Sequence, residues 1–239
     1  MVDIRVTQVM NCPRNYQLRL QKKSSLPPHF HIIKGNLIHY AIEKALKHKS
    51  LPDYDFLLKK MQVPKDSYLE NQVLGVLTNL LDNLQKWIET TEVSLKQSDI
   101  IGVEREFRMP IWDDYWLIGH IDLITKTHII DFKSGKASNN PRYWMQLGMY
   151  RELAKFEGWH DIADGNDWTL MNVFLGNEIP IEYGPTNKQV EKVLNEYYDR
   201  LFKLIEVDKM IRANPDYHAP VEVGWLCKYC DFKLECRGV

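Results

Sequence analysis

The chain has 239 residues, 44% of them hydrophobic and 26% charged, which suits one globular domain spanning 1–239 with a sizeable core. It contains no run of about 18 apolar residues and no signal-peptide pattern at Met1-Val2-Asp3-Ile4-Arg5, so composition argues against a membrane protein and for a cytoplasmic one. The net charge of −1 excludes a globally basic nucleic-acid binder, yet the charge is uneven: residues 1–50 carry nine Lys/Arg against two Asp/Glu, 131–155 five against two, and 156–239 nine against fifteen.

In chain order, Pro13 opens a helical pattern through Leu18 and Leu20, with Asn11 or Cys12 near its start and Pro in the first turn. Ser24-Ser25-Leu26-Pro27-Pro28 breaks it. Lys34-Gly35 then begins a helix with an apolar stripe of Leu37/Ile38, Ala41/Ile42 and Ala45/Leu46, and His39 and Glu43 lie on a neighbouring face. By itself His39 reads as a helix-flank histidine. Residues 51–99 read as a helical arch or insertion, with Leu74, Leu77, Leu80/Leu81, Leu84 and Trp87/Ile88 as its packing stripe.

Ile100 to Pro110 reads as a strand in which Glu104 and Glu106 share a face. A loop centred on Asp113 would pair Glu104 with Asp122, whereas a two-residue turn at Asp113-Asp114 would pair Arg105 with it. The runs 116–124 and 128–133 flank Lys126-Thr127 and predict a β-hairpin that sets Asp122 directly opposite Asp131. Like charges facing each other across a ladder destabilise it. Alternation adds Lys133 to that face and turns Ile130 and Phe132 into the core. Two readings fit: a solvated hairpin tip, or a site in which a divalent cation joins the carboxylates and Lys133 meets an anion.

Asn140 and Pro141 start the next helix, which carries Gln146 and Tyr150 one turn apart. A polar loop at 161–167 and a strand from Trp168 follow. Thr186 caps a long helix to Ile211 with a stripe of Val190, Leu194, Tyr197/Tyr198, Leu201 and Ile205, and Asn214-Pro215 ends it. Four cysteines remain, Cys12, Cys227, Cys230 and Cys236. In a reducing compartment they point to a metal, and on ligand count zinc and an iron–sulfur cluster fit equally.

Gly119-His120-Ile121-Asp122, Asp131-Phe132-Lys133 and Gln146-Leu147-Gly148-Met149-Tyr150 together resemble the core of the PD-(D/E)XK nuclease superfamily in its RecB-like branch. The resemblance implies an α/β fold, with a restriction-endonuclease-like central mixed sheet flanked by helices. It implies an active site of Asp122, Asp131 and Lys133, supported by Gln146, Tyr150 and Glu104. It makes His39, in Gly35-xxx-His39, a metal ligand beside Asp122, Asp131 and the Phe132 carbonyl, for Mg²⁺ or Mn²⁺. One N-terminal and three C-terminal cysteines around such a core resemble the iron–sulfur nucleases of the AddB and CRISPR-associated exonuclease families. That implies a [4Fe–4S] cluster on Cys12, Cys227, Cys230 and Cys236, tying the ends of the domain together. The activity implied is metal-dependent cleavage of DNA, single-stranded or with free ends, alone or beside recombination or CRISPR adaptation proteins. The contrasting readings are a non-catalytic DNA-binding adaptor subunit of such a complex and a zinc-stabilised interaction domain.

Overall fold

The structure, a computed structural model, describes residues 1–21, 30–50, 54–60, 68–159, 167–224, 227, 230 and 232–236. The expected break at Ser24–Pro28 and most of the polar loop at 161–167 lie outside the described residues. The strands are β1 (Val2–Arg5), β2 (Ile100–Trp112), β3 (Tyr115–Thr125), β4 (His128–Lys133), β5 (Thr169–Phe174) and β6 (Ile181–Tyr183). The helices are α1 (Val6–Val9), α2 (Pro13–Leu20), α3 (Phe30–His48), α4 (Tyr54–Lys60), α5 (Tyr68–Thr90), α6 (Pro141–Phe156), α7 (Asn187–Ala213) and α8 (Lys233–Cys236). None of the described helices is long and apolar enough to cross a membrane.

The fold is α/β, a mixed sheet with helices on both faces. On one face Ile4, Leu117, Ile121 and Ile129 pack against Leu147, Leu153, Tyr197 and Leu201 of α6 and α7. On the other, Leu123, Ile130, Phe132 and Val173 pack against Ile38, Leu77, Leu84 and Trp87 of α3 and α5. The segment expected as an insertion thus packs through α5 directly on the sheet. Trp87 meets Phe132 edge-on at 4.9 Å between ring centres, and its indole N–H donates to Glu182 at 2.7 Å.

Strand pairing positions the site. β2 lies antiparallel along almost all of β3, so β1 and β4 share the other edge of β3. β1 pairs in parallel with Tyr115–Ile118, and β4 pairs antiparallel with Leu123 and Ile124. Between them, among the described residues, Gly119–Asp122 has no strand on that edge: the sheet is split there.

Four expectations need correction. β1 and β6 were not foreseen. The α3 helix begins at Phe30 rather than near Gly35, because Ile33 already belongs to the buried face. Residues 91–99 are an irregular segment ending in a turn at 97–99 rather than helix. There Thr91 Oγ1 accepts from Val93 N at 3.3 Å and Ser94 Oγ bonds Asp99, the local bonding by which hydroxyl and carboxylate side chains compete with helix. The hairpin has the expected register, Leu123 with Ile130 and Ile124 with Ile129, but its ladder stops before Asp122 and Asp131. Asp122 Oδ2 instead accepts from the Phe132 N–H at 2.7 Å.

Candidate active site

The turn that left Glu104 undecided combines both alternatives. Trp112 pairs with Tyr115 around the two-residue turn Asp113-Asp114, and an irregularity between Pro110 and Trp112 then shifts the register by one. Val103 therefore faces Leu123 and Arg105 faces Ile121, which sets Glu104 opposite Asp122. Glu104 itself has φ +46°, a left-handed conformation inside a strand. Non-glycine residues reach it at a cost of order 1–3 kcal/mol, and such residues cluster at functional sites.

His39 enters this corner from α3. Its Nδ1 lies 3.1 Å from Glu104 Oε1 and 3.2 Å from Asp122 Oδ1, and one donor atom from each of the three residues falls within 4.8 Å of the others. Burial opposes a charge on His39, but the charge and hydrogen bond of Asp122, and then those of Glu104, outweigh it and raise its pKa well above the usual value. Glu104 is pushed up to about 7, first by burial, with the Asp122 charge adding to it and His39 opposing. Asp131, 1% exposed, is raised by burial above all, against the pull of Lys133. Three carboxyl groups thus crowd a corner whose cationic partners are His39 and Lys133.

Lys133 lies on the same side of β4 as Asp131 and forms an ion pair with it. The α6 helix, capped by the Asn140 side chain, supplies Gln146 as a bridge. Gln146 Oε1 accepts from Lys133 Nζ at 2.8 Å, while its Nε2 donates to Asp131 Oδ1 at 2.9 Å and to the Tyr150 hydroxyl at 2.7 Å. Gly119 lets α6 come this close: a Cβ there would sit 2.7 Å from Leu153 Cδ1 and 3.1 Å from Tyr150 Cε1. Phe132 points the other way, into the core beneath Trp87.

His39, Glu104, Asp122, Asp131, Lys133, Gln146 and Tyr150 thus line one cavity of about 600 Å³ at the split in the sheet. Arg5, Asn36 and His120 complete its mouth and were not singled out from the sequence. Asn36 stands one turn before His39, a signal available in the helical spacing. Arg5 arrives through the parallel pairing of β1 with Ile118, which no local pattern announces.

The four cysteines line a second cavity of about 300 Å³ between α2 and the C-terminal segment. Glu222 N donates to Cys12 Sγ at 3.3 Å, Gly224 N to Cys227 Sγ at 3.4 Å and Asn15 Nδ2 to Cys230 Sγ at 3.3 Å. Among the described residues, no three sulfurs lie within 4.8 Å of one another. Arg142, at the start of α6, lines the same cavity half-buried. Burial and the nearby Arg200 charge lower its pKa.

A sequence profile of the PD-(D/E)XK nuclease superfamily matches residues 4–237. No curated protein matches the chain. Among solved structures, that of a candidate exonuclease from Eubacterium rectale is similar, with a TM-score of 0.63 at 10% sequence identity, covering 94% of this chain and 86% of the other. At that identity the likeness is one of fold.

Proposed function

The chain belongs to the PD-(D/E)XK nuclease superfamily, and on that premise we propose that it is a RecB-like deoxyribonuclease acting as an exonuclease on single-stranded DNA. The observation that carries this reading is the convergence of His39, Glu104, Asp122, Asp131 and Lys133 in one cavity where the sheet splits. The site would be fed by a DNA end in the cytoplasm, within one domain covering 1–239.

Asp122, Asp131, Glu104 and His39, with the Phe132 carbonyl, would hold Mg²⁺ or Mn²⁺. Oxygen donors with one imidazole suit these cations, and a cation would relieve the crowding of the three carboxyl groups. When bound, the ion lowers the pKa of a water and neutralises charge on the phosphoryl group. The water oxygen would bond to phosphorus and release a proton to solvent as the phosphorus–oxygen bond to the leaving nucleotide breaks, and the departing oxygen would take a proton from solvent. The Lys133 ammonium stabilises the negative charge that builds on the non-bridging oxygens. Gln146 fixes the Lys133 rotamer from one end and the Asp131 rotamer from the other, and Tyr150 holds Gln146.

For the four-cysteine cavity we favour a [4Fe–4S] cluster over zinc, which would align the chain with the CRISPR-associated exonucleases and their viral relatives. Amide N–H groups facing sulfur and the Arg142 guanidinium suit an anionic thiolate cluster. Bound there, the cluster supplies a structural clip with a one-electron couple.

The test is cleavage of end-labelled single-stranded and duplex DNA by anaerobically purified protein with Mg²⁺, Mn²⁺ or EDTA. Metal-dependent shortening from an end is expected, and its loss in Asp131→Ala and Lys133→Ala. Wild-type activity in either variant overturns the assignment. A folded, cluster-loaded wild type that leaves DNA intact favours an adaptor role in recombination or CRISPR adaptation.

A further inference from the structure

We infer that Asn15 tunes the reduction potential of the group held by the four cysteines, an inference that rests on the iron–sulfur reading. Its carboxamide Nδ2 lies 3.3 Å from Cys230 Sγ. The other end of the same amide is fixed by a second residue of the cavity wall. Arg19 Nε, one turn further along α2, donates to Asn15 Oδ1 at 2.9 Å. A guanidinium can only donate, so the Asn15 oxygen must turn towards Arg19 and its N–H towards the sulfur. Arg19 is held in turn, its guanidinium lying 5.4 Å from the centre of the Phe232 ring, and Phe232 is buried between Cys230 and Cys236 in sequence. The contacts thus run from Cys230 through Asn15 and Arg19 to Phe232, which lies two positions beyond Cys230 in the chain.

Cys12 and Cys227 receive backbone N–H groups, which most substitutions leave in place. Asn15 instead donates to Cys230 from its side chain, which a substitution removes. A donor of this kind withdraws electron density from a thiolate. It therefore stabilises the reduced, more negative form of the cluster more than the oxidised form, and raises the potential. Arg19 acts through Asn15 as a positioning residue.

The test is a spectroelectrochemical titration, one electron per cluster with dithionite as reductant, on the intact chain purified anaerobically. Iron, sulfide and zinc are quantified in the same samples. Asn15→Ala is expected to shift the midpoint to more negative potential. Asn15→Asp should shift it further, because a carboxylate keeps the shape but brings negative charge to the sulfur. Asn15→Ser, which retains a donor, should recover part of the shift. Arg19→Met alters an exposed side chain and reads the relay even where an Asn15 variant folds poorly. It should give a shift in the same direction, and a smaller one when added to Asn15→Ala, where the direct effect of the Arg19 charge on the cavity remains and the relay through Asn15 is gone. Fully loaded Asn15 and Arg19 variants with wild-type potentials overturn the inference and leave the cluster reading standing. A colourless, zinc-loaded wild type overturns both.

Discussion

Replacing Glu104 by Gln should make the protein more stable at alkaline pH when no divalent cation is available. Glu104 is 17% exposed at its side chain, and its pKa rises from the usual 4.5 to about 7. Because the folded-state value is the higher one, ionisation of Glu104 works against folding. That penalty is absent below about pH 4.5, grows as pH rises to about 7 and stays constant above it. At about 1.4 kcal/mol per pH unit the full penalty approaches about 3 kcal/mol. Gln keeps an oxygen for the His39 contact of 3.1 Å but forfeits the attraction to a protonated His39, so a net gain of about 2 kcal/mol is expected. The assay is urea unfolding in EDTA at pH 4.5 and pH 8. Equal stability at pH 4.5 and a higher urea midpoint for the variant at pH 8 are expected. A variant that is no more stable at pH 8, or equally stabilised at both, refutes the reasoning. With Mn²⁺ at a hundredfold excess over its Kd, the wild type should gain about 2.7 kcal/mol and the order should narrow or reverse, since the variant lacks one carboxylate.

Other substitutions separate packing from chemistry. Gly176→Ala should unfold or severely destabilise the protein in thermal denaturation, because its Cβ would fall 2.6 Å from the backbone carbonyl of Gly135, just beyond Lys133. Gly35→Ala, with nothing within 4 Å of its Cβ and a helical backbone around it, should instead stabilise by up to about 1 kcal/mol. Trp87→Ala removes a side chain that is 2% exposed; a loss of about 3–5 kcal/mol in urea unfolding is expected, with reduced cleavage because Phe132 loses the ring that holds it. Arg5→Ala should raise the KM for DNA and lower the slope of log affinity against log salt by about 1, with Arg5→Lys restoring it. An unchanged slope would remove Arg5 from the phosphate path.

How much of this was legible in the sequence follows from which interactions are local. The hairpin register and the Asn140 and Thr186 caps depend on neighbours a few residues apart and could be read directly. The stripes of α5 and α7 follow from helical periodicity. The position of Glu104 could not be fixed, because it hangs on an irregularity near Ile111 that period-2 alternation does not encode. β1 was invisible for another reason. Four residues reading Val-Asp-Ile-Arg are too short to carry a pattern, and what makes them a strand is a partner more than a hundred positions away. The gathering of His39 with Glu104 and Asp122 was anticipated by resemblance, since taken alone a histidine on a helix flank says little. Asp208, fully buried and bonded by Tyr16 at 2.8 Å, Tyr115 at 2.9 Å and Arg212, gave no signal, being one acidic residue on the face of a long helix.

The clasp between α2 and the residues that follow α7 has a mechanical consequence. Ala219 N donates to Gln17 Oε1 at 3.0 Å, Gln17 Nε2 donates to the Tyr217 carbonyl, Glu222 N reaches Cys12 and Asn15 reaches Cys230. Load applied to the C-terminal segment therefore passes into α2 before it reaches the sheet. Each of them ties the C-terminal segment to the same short helix. Strain in the C-terminal segment is thereby shared between α2 and α7, and α7 packs on the sheet.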